Sequence, residues 1–329
     1  MKLTENKIDE LNVELTIEVA SEDYEASRKK KLSDRRKTAE FKGFRKGNVP
    51  MSLIERVYGD QVLVDAVNEI VSSQLNDYIK SSNMNFIGEP LTGKNQPEVE
   101  WGAGKDFTFV FDLGAAPEVN FEIAKEDTIP YYNINITEAA KKEMKTNLRK
   151  VDESKKDATD EELEEEVVKT LEQNYKMEAD YRLSKDIRDF YIEKAAIALP
   201  EEFLKRWVIA ENDGKYTEEE VEKDFPAFLS DFRWQMIRDY IFSKNNLKIT
   251  EQDMKEAAEA YVAYQYAMYG MGNVPEEIIK ESAQNVLANE KQVRRIEEQV
   301  VDQKVMATIK DTATIKSKKI SLDKFRELK

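Results

Sequence analysis

The stretch from Thr159 to Leu199 limits the possible folds more than any other part of the chain. Thr159 followed three residues later by Glu162 is a capping-box pattern, in which the two side chains satisfy backbone N–H groups at a helix start. From there one helix is expected to continue toward Leu199, with Pro200 stopping it. At a rise of about 1.5 Å per residue, roughly 38 helical residues would span about 57 Å. Such a rod exceeds the diameter of a small domain, and 329 residues suffice for two or three domains, each with its own core. Charged residues are 36% of the chain against 40% hydrophobic, with only 11 Gly and 8 Pro, a balance that favours long solvated helices over a compact sheet enzyme.

Other helices announce themselves in the same way. Thr137 begins one that reaches about Val151, Thr217 with Glu220 caps another to Ser243, and Thr250, Pro275 and "ANEKQVRRIEEQVVDQKVMATI" mark three more. "YYNINIT" and "ATIKSKKIS" read as short strands, and "LDKFREL" as a terminal helical turn. The beginning of the chain is different. Val13, Leu15, Ile17 and Val19 alternate with polar residues, the pattern of a half-buried strand, and alternation returns in "FIGEPLTG" and in "DFTFVFDLG", where Phe107, Phe109 and Phe111 share a face. Between these lie a helix from Ser21 to about Ala39, a short one opening at Pro50 and ended by Gly59, and a longer one from about Asp60 to Ser82. The expected fold is an α+β N-terminal domain, residues 1–115, a linker strand and helix, 116–151, and a mostly α-helical, elongated C-terminal domain, 152–329.

The chain has no His and no Cys, which excludes a Cys nucleophile, disulfides, His or Cys metal sites and any Ser-His-Asp arrangement. No stretch approaches the roughly 18 apolar residues of a membrane span, and "MKLTENKIDELNVELTIEVA" has no apolar leader core, so a cytoplasmic location and no membrane partner are expected. "GMGN" at residues 270–273 lacks the spacing and the following Lys-Ser or Lys-Thr of a phosphate loop, so no nucleotide or other cofactor is expected. The acids Glu161, Glu162, Glu164, Glu165 and Glu166 suit a helix start rather than a metal or acid-base site. No catalytic residue is assigned.

Charge is strongly uneven. Arg28, Lys29, Lys30, Lys31, Arg35, Arg36, Lys37, Lys42, Arg45 and Lys46 are opposed within residues 28–46 only by Asp34 and Glu40. That stretch carries +8 in a chain of net charge −15, so the remainder carries −23. A solvated helix face is the ordinary reading of a charge run. Here the excess is local and ends in a loop, and structured RNA is the commonest anion of matching size. In "EFKGFRKGNVP", Gly43 and Gly47 permit unusual backbone angles, Pro50 fixes the entry to the next helix, and Phe44, Arg45 and Lys46 are left at the tip. A Phe in such a place reads as an exposed anchor beside two cations that meet phosphates or carboxylates.

"GFRKGNVP" resembles the ribosome-docking signature of the trigger factor family of bacterial chaperones. The likeness continues through "MSLIERVYGDQVLVDAVNEIV", "DFTFVFDLGAAPEVNF", "ALPEEFLKRW", "SKNNLKITEQDM" and "LDKFREL". The resemblance implies docking contacts at Phe44, Arg45 and Lys46, with Gly43, Gly47 and Pro50 shaping the loop, against protein and RNA of the large subunit at the tunnel exit. Asn48 departs from the family, whose members commonly carry a basic residue there. The resemblance also implies a helical cradle with projecting arms that shields unfolded nascent polypeptides without ATP, and a homodimer away from the ribosome. The family's FKBP-type prolyl isomerase domain is expected to be absent, because only "VDESKKDA" separates the linker helix from the long helix.

Two readings stand beside this one: a prolyl isomerase, as in full-length relatives, and a ribosomal RNA-binding factor without chaperone activity. In the helical part, Met177, Met236, Met254, Met268, Met271 and Met306 could face clients, since a flexible thioether adapts to irregular partners. Phe190, Phe203, Trp207, Phe225, Phe228, Phe232 and Trp234 read as core. "YVAYQYAMYGMG" is apolar over much of a helix circumference and reads as a buried helix or as a client surface.

Overall fold

The computed structural model describes residues 1–328 apart from 83, 213, 214 and 272, so Gly272 of the "GMGN" run lies outside the described residues. The chain forms two compact units, residues 1–118 with 198–229, and residues 119–197 with 230–329. The α+β character of the N-terminal part and the helical character of the rest are as expected. The segment 198–229, which the sequence groups with its helical neighbours, folds with the first unit.

The first unit is built on an antiparallel sheet of β1 (Lys2–Lys7), β2 (Asn12–Val19), β3 (Phe86–Thr92) and β4 (Phe107–Ala115), in the order β1-β2-β4-β3. Register explains its core. Val13 pairs with Leu113, Leu15 with Phe111, Ile17 with Phe109 and Val19 with Phe107, so every odd-numbered apolar side chain lies on one face. Helices α1 (Ser21–Thr38) and α2 (Met51–Ser81) supply Tyr24, Leu63, Val67 and Val71 to that core. Tyr24 keeps its hydroxyl satisfied there: it donates to the Lys105 carbonyl (2.9 Å) and accepts from the Gly104 N–H (2.9 Å).

On the sheet's other face α5 (Glu201–Glu211) packs against β3 and β4. Phe203 is buried where Gly114 leaves no side chain, and Trp207 lies over Gly88, whose φ is +67°. Arg206 pairs with Asp112 and donates to the Thr92 carbonyl (2.5 Å). Gly59 does not end a helix. It lies buried within α2, because one glycine costs only about 1 kcal/mol in a helix interior, too little to break 31 packed residues.

The second unit centres on α4 (Asp160–Ala195), the long helix foreseen from its cap: the Thr159 N–H and Oγ1 both donate to Glu162, and the Glu162 N–H donates back to Thr159 Oγ1. It ends at Ala196, which takes a left-handed conformation (φ +47°). Its buried residues are Leu163, Val167, Leu171, Tyr175, Ala179, Leu183, Ile187 and Tyr191, spaced by four throughout. At 3.6 residues per turn that spacing advances about 40° per step, so the buried stripe winds round the helix and needs different neighbours along its length.

The N-terminal half of α4 meets α3 (Glu138–Val151) and β5 (Thr128–Ile134), through Met144, Leu148 and Ile134. Buried Lys145 on α3 pairs with Glu164 (2.5 Å). Near its C-terminal end Tyr191 donates to Asp127 (3.0 Å), which also pairs with Lys194 (2.6 Å). Burial pushes the Asp127 carboxyl up, but the Ala124 N–H, Lys194 and Tyr191 outweigh it and hold it below the usual range. β5 pairs in parallel with β6 (Thr314–Ile320), far along the chain. α6 (Glu218–Lys244) begins in the first unit and continues into the second. α7 (Glu251–Met268), α8 (Glu276–Leu287) and α9 (Glu290–Thr312) pack through Ala257, Ala258, Val262, Ala283, Ile296 and Val300, and α10 (Leu322–Arg326) ends the described chain.

Candidate functional site

The loop between α1 and α2 is two consecutive β-turns. In Phe41–Phe44 the Phe44 N–H donates to the Phe41 carbonyl (3.1 Å), and in Arg45–Asn48 the Asn48 N–H donates to the Arg45 carbonyl (2.9 Å). Gly43 (φ +92°) and Gly47 (φ +83°) each occupy the third place, which in a type II turn requires positive φ. Pro50 is the N-cap of α2, and its carbonyl accepts from the Leu53 and Ile54 N–H groups.

Both ends of the loop are anchored. Val49 is wholly buried with Leu32, Ala39, Ile54 and Val62, and its carbonyl accepts from Arg36 Nε (2.8 Å). Phe41 packs against the same cluster, edge-on to Tyr58 at 6.2 Å between centroids. Neither Phe41 nor Val49 stands out in the sequence, although the spacing of apolar Phe41 and Val49 around a glycine-punctuated run was the available signal. Between these anchors the tip is open: Phe44 is 44% exposed, and Lys42, Arg45, Lys46 and Asn48 are exposed.

The basic stretch is less free than its sequence count. Arg28 is 6% exposed, tucked between the helices and paired with Glu55 (2.7 Å) and Glu25 (3.4 Å). Lys29 pairs with Glu25, Lys31 with Glu69 and Lys37 with Asp34. Arg35 lies over the Tyr58 ring (5.8 Å), and Arg36 is held on Val49. Lys46 lies 3.5 Å from Glu40. The hydrogen bond from Lys37, helped by the charges of Lys37 and Lys30, holds the Asp34 carboxyl below its ordinary range. Among the described residues, Lys30, Lys42 and Arg45 make no ion pair within 4 Å. The arrangement is therefore an apolar ring on a rigidly footed loop, with uncommitted cations on either side of it.

The acidic start of α4 is committed elsewhere. Glu162 caps the helix, Glu164 pairs with Lys141 and Lys145, and Glu166 pairs with Lys155. Lys141 is raised to about 12 by its hydrogen bonds to Glu138 and Glu164. Among the described residues no group of three or more His, Cys, Asp or Glu side chains could hold a metal ion, and no helix is long and apolar enough to cross a membrane.

The second unit displays apolar side chains of its own. Tyr264, Met268 and Tyr269 at the end of α7, Met271 beyond it and Ile278 on α8 are exposed, as is Met177 on α4. Val262, on the side of α7 away from Tyr264 and Met268, is buried, so the helical part of this stretch, residues 261–268, has one covered face and one open face. Met236, Met254 and Met306 are half-buried. Of the aromatic residues expected in the core, Phe203, Phe225 and Trp234 are buried, whereas Phe190, Trp207, Phe228 and Phe232 are half-buried.

Residues 1–148 match the family model for bacterial trigger factor protein, and residues 179–329 match that for the probable trigger factor C-terminal domain. The chain belongs to the trigger factor family. Curated relatives include the trigger factor of Glaesserella parasuis serovar 5, 31% identical over 150 residues that make up 46% of this chain and 34% of that protein. Others are the trigger factors of Desulfosudis oleivorans, 36% identical over 33% of this chain and 23% of that protein, and of Clostridium perfringens, 33% identical over 36% and 27%. The alignments thus span about a third or less of these relatives' lengths. A solved structure described as "Promiscuous Substrate Recognition in Folding and Assembly Activities of the Trigger Factor Chaperone" superposes with a TM-score of 0.53 at 13% identity, covering 94% of this chain and 99% of that one, which establishes a shared fold. In trigger factor terms, the N-terminal match contains the whole Phe41–Pro50 loop, and the C-terminal match contains the open face of α7.

Proposed function

We propose that this trigger factor family member is an ATP-independent, cytoplasmic chaperone that docks at the ribosome exit tunnel and shields emerging polypeptides on its helical unit. The observation that carries the docking role is the footed tip. Phe44 stays exposed on a loop anchored at both ends, by half-buried Phe41 and buried Val49, with Arg45 beside it. Phe44 fills a pocket in ribosomal protein, Arg45 and Lys46 meet carboxylates or RNA phosphates, and Gly43, Gly47 and Pro50 hold the loop in shape. Lys29, Lys30, Lys31 and Lys37 on α1 add longer-range attraction, which the acidic remainder of the chain does not share.

The open apolar side chains of α7, α8 and α4 support the chaperone role. Scattered Met and Tyr contacts, each weak, retain an unfolded segment through their number rather than through one tight site. The same exposed surface favours a homodimer off the ribosome. α3 passes to α4 through residues 152–159 alone, which leaves no room for an isomerase domain. A proline-limited refolding assay is expected to show no catalysis, and catalysis would overturn that part.

The docking role is tested by co-sedimentation with vacant ribosomes, comparing the chain with a triple alanine variant at Phe44, Arg45 and Lys46. Binding that weakens with salt and disappears in the variant is expected. Binding that survives the triple substitution would make the loop merely structural.

A further inference from the structure

The docking loop repeats itself. Phe41-Lys42-Gly43-Phe44 and Arg45-Lys46-Gly47-Asn48 are turns of the same form, each with Lys in the second place, Gly in the third and a closing hydrogen bond. The two lysines thus sit at equivalent corners four residues apart, with Cα atoms separated by no more than about 14 Å. They differ in what they face. Glu40 lies 3.5 Å from Lys46, whereas Lys42 has no acidic partner within ion-pair distance among the described residues. The fold has also occupied Arg28, Arg36 and Lys37, so the cations left open beside Phe44 are Lys42 on one side and Arg45 on the other.

We propose that Lys42 is a phosphate-contacting residue of the loop, acting with Arg45 on an RNA backbone, and that Glu40 tempers the contribution of Lys46. This rests on the ribosome-docking reading given above. An RNA strand presents phosphates at regular spacing, which suits open cations on both flanks of Phe44, and a lysine reaches a phosphate as a mobile point charge on a four-carbon stem. Asn48, which closes the second turn, brings no charge, so Lys42 supplies the cation on the opposite flank of Phe44 instead.

The test is co-sedimentation with vacant ribosomes over a range of salt for the full chain and its Lys42→Gln, Lys46→Gln, Glu40→Gln and Phe44→Ala variants. Lys42→Gln should weaken binding several-fold at low salt and lower the slope of log affinity against log salt by roughly 0.7 to 0.9, the loss of one phosphate contact. Lys46→Gln should change the slope less, and Glu40→Gln should strengthen binding. If Lys42→Gln leaves the slope unchanged while Phe44→Ala still abolishes binding, docking stands and the proposal for Lys42 falls. A loss equal at every salt concentration would place Lys42 against a neutral or protein surface and also overturn it. If no variant, Phe44→Ala included, alters binding, the docking reading itself fails.

Discussion

Gly47→Ala separates the shape of the loop from its chemistry. Gly47 holds φ at +83°, and a Cβ added there would meet nothing within 4 Å. Steric conflict with the rest of the protein therefore drops out. What remains is the cost of left-handed backbone for a residue with a side chain, roughly 1–2 kcal/mol. In the free protein the exposed tip can escape that cost by leaving the turn, so urea melts should show a loss of stability smaller than this. Docking has to restore the turn. Ribosome affinity should therefore fall by the part of the cost that the free protein escapes, at most roughly 5- to 30-fold. Gly47→Asn should recover most of the loss, because Asn tolerates left-handed backbone where Ala does not. The expected order in co-sedimentation is Gly, then Asn, then Ala. Equal binding by the Gly and Ala forms, or Asn falling below Ala, would refute the claim that the turn is what the ribosome selects.

Three further outcomes can be checked together. Val49→Ala removes two methyl groups from a fully buried side chain and should cost about 2 kcal/mol in urea melts; it should also weaken ribosome binding, although Val49 presents nothing to a partner. Gly114→Ala would place a Cβ 2.4 Å from Phe203 Cδ1, and, because Phe203 is buried, the sheet and α5 must part at a cost of about 1–3 kcal/mol, visible as a shift in Trp207 emission. Unchanged emission and stability would mean that α5 does not pack on β4 as described.

Asp253 is lowered to about 2 by its hydrogen bond to Lys304, then by the Thr250 hydroxyl and N–H. A depressed carboxyl stabilises the folded state above its unfolded pKa, near 4, and loses that contribution as pH falls through the folded value. The stability gap between the chain and its Asp253→Asn variant should therefore be widest above about pH 5 and close toward about pH 2. A gap that is constant over this range would contradict the pairing.

Much of the fold was legible because local chemistry coincides with it. Thr137, Thr159, Thr217 and Thr250 each cap the helix they announce. The alternation of β2 and β4 is the inward face of one sheet. What could not be read depends on partners distant in sequence. The parallel pairing of β5 with β6 joins residues near 130 to residues near 317, and α5 has an apolar side but no local sign that the sheet would cover it.

The site shows the same division. Two glycines and the residues between them mark the tip directly. The standing of each cation does not follow from the count, because Glu55 and Glu69 on α2 return to neutralise Arg28 and Lys31 on α1. Likewise the stripe on α7 gives no hint of which side α8 would cover, and only packing reveals that Tyr264 and Met268 remain open.

The central claim is that the Phe41–Pro50 tip touches the ribosome. The chain contains no cysteine, so an Asn48→Cys variant carries a single thiol on the exposed tip, and a Met177→Cys variant carries one on the open surface of α4. Each is labelled with a maleimide benzophenone, mixed with vacant ribosomes and irradiated. Cross-links from position 48 to large-subunit protein or RNA at the tunnel exit, with none from position 177, are the predicted result. No cross-link from position 48, or equal yields from both positions, would contradict the account.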